Sequence, residues 1–272
     1  MDRLHFLARQ HLETIRLLGV DFVPIAAAPP ALAAATEQDQ PSPAPPPGAE
    51  PTLFGGPAGE PQLPLGEGAG GPPELSPDRK PDALETLRAR HDAECPHCTT
   101  ATAHTRTVFG EGDPDADLMF IGEAPGEEED RTGRPFVGRA GRKLDEILEA
   151  MKMERRQVYI ANILKSRPPG NRTPLPGEVE GCASFLAEQI RIIRPRVIVG
   201  LGGPAVKWLL QTSEGITRLR GTWGVYYDGA LSVAVMPTFH PAYLLRNYTV
   251  ETRSRVWSDM QAVMARLEKP AS

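Results

Sequence analysis

Four side chains in this sequence have the type and placing to do chemistry on a planar ligand: Glu123, Phe136, Asn162 and His240. Glu123 directly follows the apolar run DLMFIG (117–122), where a carboxylate could orient water or face a developing cation. His240, the only histidine beyond residue 104, stands next to a proline in TFHPAYLLRN (238–247) and could donate a hydrogen bond to a departing anion. A single histidine also commonly has a purely structural place. Asn162 closes the run VYIAN (158–162) and offers a donor and an acceptor together, suited to the edge of a base, or equally to a turn or helix cap. Phe136, between Pro135 and Val137, is either a stacking wall or a loop anchor. Leu244, Leu245 and Arg246 could form a wedge that enters a duplex, or the first turn of a helix facing the core. Gly122, with glycines 126, 133, 138 and 141, lets the backbone turn sharply or approach a ligand closely. Lys165, Arg167 and Arg172 lie amid four prolines and read as a stiff basic rim.

The elements that must position these residues alternate. DLMFIG, VYIAN, VIVGLG (197–202) and SVAVMP (232–237) are short, β-rich and bounded by turn residues. Residues 140–152, 176–193, 204–211 and 252–267 read as helices between or after them. Strand and helix in alternation predict an α/β domain with right-handed crossovers and a mostly parallel sheet covered on both faces. Ligands of such sheets bind outside the carboxyl ends of the strands, where Glu123, Asn162 and His240 all fall. Three regions follow: an amphipathic N-terminal helix (1–23), a Pro/Ala/Gly-rich disordered linker (24–81) and a globular domain (82–268). The linker holds 16 of the 29 prolines and cannot bury enough apolar surface to offset chain entropy.

Charge distribution says more than the net value of −5. Residues 24–81 carry seven acids and two bases, which accounts for the whole net charge, while residues 131–172 carry eleven bases and four acids. A local surplus of that kind could neutralise several phosphates, although a solvated helix face explains part of it. No run of about 18 apolar residues predicts a membrane span, and the mixed charges of the first residues do not resemble a signal peptide. The expectation is a cytoplasmic monomer whose three cysteines are reduced thiols or metal ligands.

GEAPGEEEDRTGRPFVGRAG (122–141), RPPGNRTPLPGEVEGC (167–182) and HPAYLLRN (240–247), in that order, resemble the motifs of the family 4 uracil-DNA glycosylases, an iron–sulfur branch of the uracil-DNA glycosylase superfamily. The resemblance covers residues 82–268. It implies a three-layer α/β/α sandwich around a central four-stranded parallel sheet, and hydrolysis of the bond joining uracil to deoxyribose in single- or double-stranded DNA. It implies that Phe136 and Gly122 border the flipped base, that Asn162 reads its edge, and that Glu123 and His240 stabilise the sugar cation and the uracil anion. Leu244, Leu245 and Arg246, with Lys165, Arg167 and Arg172, would contact DNA.

The family holds a [4Fe–4S] cluster with four cysteines. Cys95 and Cys98 supply a CxxC pair here and Cys182 the last ligand, but Ser166 occupies the remaining position. Ser166 oxygen, His97 or water as fourth ligand, a three-iron cluster, zinc and no metal at all stay open at this point. The front helix is a candidate docking element for a repair or replication protein. A covalently trapping relative would place a histidine in a basic insertion after the second strand, and residues 141–239 contain none. A binding protein that has lost catalysis would not need Glu123, Asn162 and His240 together. A CxxC redox protein leaves the long first and last motifs unexplained.

Overall fold

The computed structural model describes residues 74–269, apart from 102 and 230; the N-terminal helix and most of the linker fall outside the described residues. A short 3-10 turn, Pro77–Arg79, leads into helix α1 (Lys80–Glu94). Strands β1 (Glu111–Gly112) and β2 (Leu118–Gly122), helices α2 (Glu127–Thr132) and α3 (Arg139–Ala150), and strand β3 (Tyr159–Asn162) follow. Then come α4 (Pro176–Ile193), β4 (Val197–Leu201), α5 (Gly203–Leu210), α6 (Ile216–Leu219), β5 (Gly224–Asp228), β6 (Leu231–Thr238), α7 (Pro241–Arg246) and α8 (Val250–Glu268).

The sheet has six strands in the order β1-β3-β2-β4-β6-β5 and is mixed. Neighbours among β3, β2, β4 and β6 pair parallel, while β1 and β5 pair antiparallel at the two edges. The mostly parallel sheet expected from the sequence is thus six-stranded, not four-stranded, with an antiparallel strand added at each edge. The edge strands escape a pattern reading because β1 is two residues long and β5 shows no continuous apolar run. Globular structure also begins before residue 82. Lys80 is buried, its Nζ donating to Asp115 and to the carbonyl of Ile193, so α1 is tied to the end of α4.

Strand residues are buried on both faces, as parallel strands under helices require. Leu118 and Phe120 of β2 join Leu144 and Leu148 of α3 and Val256 and Met260 of α8 in one core. Met119 and Ile121, the alternate residues, join Leu186 and Ile190 of α4 and Leu209 of α5 in the second. Register aligns the strand ends: Gly122 pairs with Asn162 across β2 and β3, and Leu201 with Thr238 across β4 and β6. The residues that follow each inner strand therefore converge at one end of the sheet. No helix among the described residues is long and apolar enough to cross a membrane.

Candidate active site

A cleft of about 650 Å³ opens at these converging ends, and Glu123, Phe136, Asn162, Gly202, His240 and Arg246 all line it. Its back wall depends on two glycines. A Cβ on Gly122 would stand 2.4 Å from Asn162 Oδ1 and 2.6 Å from Phe136 Cζ. A Cβ on Gly141 would stand 1.8 Å from the carbonyl oxygen of Phe136, so the first turn of α3 packs directly on that backbone. Phe136 itself holds a left-handed φ of 51°, an uncommon conformation for a bulky residue. Glu129 is the clamp. Its Oε1 accepts from the backbone N–H groups of Val137 (2.9 Å) and Gly138 (2.8 Å), and its Oε2 from Gly126 (3.2 Å). Glu129 belongs to the EEED run of the first motif, and only its crowding of carboxylates at a helix start signalled it.

Asn162 is 2% exposed, and its Oδ1 is buried without a hydrogen-bond partner. Leaving a buried acceptor unmet costs about 1–3 kcal/mol, a cost that a ligand N–H would remove. His240 caps α7, its Nδ1 accepting from the backbone N–H of Ala242 at 3.1 Å. The ring proton therefore sits on Nε2. Burial, with the charge of Arg246 adding to it, lowers the His240 pKa to about 4, so the imidazole is neutral at pH 7. Its ring lies 5.6 Å from that of Phe136 at 33°. Gly202, with φ at 88°, passes close beneath: a Cβ there would stand 3.0 Å from His240 Cβ. Burial also raises the pKa of the Glu123 carboxyl. One cleft thus combines an aromatic wall, an unmet acceptor, a neutral imidazole donor and a carboxylate.

The DNA-contact expectations divide. Lys165 is not on a rim. It is 0% exposed, its Nζ donating to the carbonyl of Asn162 (2.8 Å) and to Gln189 Oε1 (2.5 Å), and burial lowers its pKa to about 8. The loop after β3 folds inward at this point, because the Lys165 backbone N–H also donates to Cys182 Sγ at 3.2 Å. Leu244 is 2% exposed and packs in the core with Trp257 and Met260, which leaves Leu245 half-buried and Arg246 exposed as the accessible part of that turn. Arg172 lines the cleft and pairs in bidentate fashion with Glu178 at 2.7 and 2.8 Å, while Arg167 donates to Asn171 Oδ1 at 2.7 Å and lies 3.6 Å from Glu127. Carboxylates from outside the basic stretch also answer Arg131 and Arg134. Within that stretch Arg139, Arg142 and Lys152 form no ion pair among the described residues.

A second constellation lies behind the cleft. Cys95, Cys98 and Cys182 are buried, with Cys182 Sγ 3.7 Å from Cys95 Sγ and 3.5 Å from Cys98 Sγ. Those spacings approach the about 3.8 Å edge of a tetrahedron built on metal–sulfur bonds of about 2.3 Å. Ser166 Oγ is 3.4 Å from Cys98 Sγ. A fourth donor appears that sequence spacing did not suggest: His91 joins the three thiols, all four ligand atoms lying within 4.8 Å of one another. His97 is not in this group. The donor set fits a thiolate-bound metal centre.

Residues 109–261 match the family model for the uracil DNA glycosylase superfamily. The chain is 45% identical over 177 residues to a type-4 uracil-DNA glycosylase of Thermotoga maritima, a match covering 65% of this chain and 91% of that protein. Type-4 uracil-DNA glycosylases of Sulfurisphaera tokodaii (42% identical over 171 residues, 61% of this chain and 77% of that protein) and Archaeoglobus fulgidus (38% over 178 residues, 64% and 88%) are also similar.

Proposed function

The chain belongs to the uracil DNA glycosylase superfamily, and from that premise we propose that it hydrolyses the N-glycosidic bond of deoxyuridine in DNA, the first step of base-excision repair. The observation that carries this reading is the orphaned Oδ1 of Asn162, buried against Gly122 and Phe136 in a cleft that Glu123 and His240 also line. Uracil presents an N3–H donor flanked by carbonyl acceptors. Asn162 Oδ1 accepts from that N–H, and the amide group donates to the neighbouring carbonyl. Cytosine carries the opposite pattern and would leave both groups unpaired, a rejection larger than shape alone supplies.

The base is flipped from its strand into the cleft, against the Phe136 ring. As the bond to the sugar breaks, its electron pair passes to uracil and the sugar becomes cationic. His240 Nε2–H donates to the developing uracil oxyanion, and because the imidazole is already neutral, no proton has to leave it first. A donor so placed supplies about 3 kcal/mol of transition-state stabilisation. Glu123, as carboxylate, faces the cation and orients the water whose oxygen bonds to the sugar; the proton that water loses balances the uracil anion. Leu245 and Arg246 hold the strand from which the base has left, with Arg167 and Arg172 toward the backbone.

Cys95, Cys98 and Cys182 hold the resident metal group, which we read as a [4Fe–4S] cluster. The CxxC pair and a third cysteine far along the chain support that reading, while the sulfur spacings of 3.7 and 3.5 Å are closer to those around a single metal ion. Were such a cluster bound, these three thiolates would hold it, with their sulfurs farther apart than the present 3.5 and 3.7 Å. The group's contribution is structural: it ties the end of α1 to α4 and to the loop after β3.

The test is base selectivity. Oligonucleotides of one sequence carrying uracil, cytosine or thymine at one position are incubated with the protein and treated with hot alkali. Strand breaks at uracil alone are expected; equal breakage at cytosine would sink the recognition scheme.

A further inference from the structure

We propose that His91, through Nε2, is the fourth ligand of the thiol centre, so that its metal group is held by three thiolates and one imidazole with Ser166 outside the coordination. This rests on reading the thiols as a metal centre and is independent of the glycosylase chemistry.

His91 lies four residues before Cys95, one helical turn back on the same face of α1. Its backbone carbonyl accepts from the Cys95 N–H at 3.0 Å, so the histidine and the first thiol are joined through the helix end. The side chain is 0% exposed. Phe185 meets the ring edge-on with centroids 5.0 Å apart, and Phe109 lies at 5.8 Å, so two aromatic rings fix its plane. Nδ1 stands 2.9 Å from Asp92 Oδ1, an acceptor-only carboxylate. Nδ1 is thereby engaged as a donor, which leaves Nε2, 4.0 Å from Cys182 Sγ, as the nitrogen facing the thiols. A carboxylate behind an imidazole whose far nitrogen faces thiols is the arrangement that orients metal-bound histidines.

Ser166 is the competitor. It is buried, and its Oγ is 3.4 Å from Cys98 Sγ. A serine hydroxyl must lose a proton it holds far above pH 7 to become a strong ligand, whereas an imidazole nitrogen is among the commonest metal ligands in proteins. His91 offers the better donor at the same centre. A hydrogen bond from His91 to a metal-bound sulfur is the plainer use of the same geometry, and the experiment separates the two.

The full chain is purified anaerobically, its iron and zinc are measured, and X-ray absorption is recorded at the edge of whichever metal is bound. If the metal is a single zinc ion, one nitrogen at about 2.0–2.1 Å beside sulfur neighbours is expected; if it is a four-iron cluster the average falls to about a quarter of a nitrogen per iron, and the EPR coupling carries the assignment. If the metal is iron, pulsed EPR of the reduced centre should show a nitrogen coupling that changes when the histidines alone carry nitrogen-15. His91→Ala should lose at least half its metal and the coupling, His91→Cys should restore metal in an all-sulfur shell, and Ser166→Ala should keep both metal and coupling. A shell without nitrogen, metal loss in Ser166→Ala but not in His91→Ala, or no stoichiometric metal in fresh protein would each overturn the proposal. If His91→Ala does not fold, the wild-type spectra decide alone. Uracil excision is assayed on the same samples: nitrogen ligation without excision defeats only the glycosylase reading, and excision with an all-sulfur centre defeats only the His91 assignment.

Discussion

Asn162 has a carbonyl oxygen with nothing to accept, and the simplest change to that oxygen's chemistry is at its neighbour atom. Asn162→Asp keeps the shape but cannot donate to a base carbonyl. Uracil excision is expected to fall about 10²-fold, measured under single-turnover conditions, and an unchanged rate would remove Asn162 from recognition. The two titratable groups make a separate prediction. His240 has a pKa of about 4 and stays neutral across pH 5–8, so it contributes no limb to the rate profile there. In the proposed mechanism Glu123 acts as the anion, and because burial raises its pKa, activity is expected to be lost as pH falls through a midpoint above the ordinary glutamate range. Glu123→Gln should lower the rate and abolish that acid limb; a limb persisting in the variant would assign it elsewhere. At this scale Glu123, Phe136, Asn162 and His240 were legible because strand ends place them together. Glu129, Lys165 and His91 were not. Lys165 meets Gln189 and His91 meets Cys182 across distant segments, while Glu129 reaches Val137 across a loop whose fold no periodicity describes. Sequence spacing carries no trace of such pairings unless a repeat or motif records them.

Among the elements, the long strands and helices were readable from periodicity. Residues 176–193 coincide with α4, and the four apolar runs became the four inner strands. Short pieces were not: β1 and α6 lack the length for a period to show, and α7 reads equally as loop. The last case matters for function. Leu244, on the inner face of α7, is a core anchor, while Arg246 on the same short helix is exposed. Leu244→Ala should cost about 2–5 kcal/mol of stability, read from denaturant unfolding, with DNA affinity close to wild type in the folded protein. Arg246→Ala should do the reverse, leaving stability near wild type and lowering the salt slope of DNA binding by about 1. Equal stability loss in both would mean that the inner and outer faces of α7 are not distinct.

Across the whole molecule, the basic surplus at 131–172 overstates the surface available to DNA. Lys165 is buried and most of the arginines there already face carboxylates, several of them from outside the stretch. Three or four phosphates neutralised give a slope of log affinity on log salt of about −2 to −4, at roughly −0.7 to −0.9 per contact. A slope near about −6, as if the entire surplus of seven met phosphate, would contradict the ion pairing described here.

In the proposed function one cleft both selects uracil and releases it. This is tested most directly by single-turnover excision from a uracil-containing oligonucleotide, with wild-type protein beside a His240→Asn variant of confirmed fold and metal content. Wild-type protein should leave alkali-labile sites at uracil, and the variant should do so about 10²–10³-fold more slowly, as for loss of a donor to a developing oxyanion. No excision by folded, metal-loaded wild-type protein, or equal rates in the two, would contradict the account.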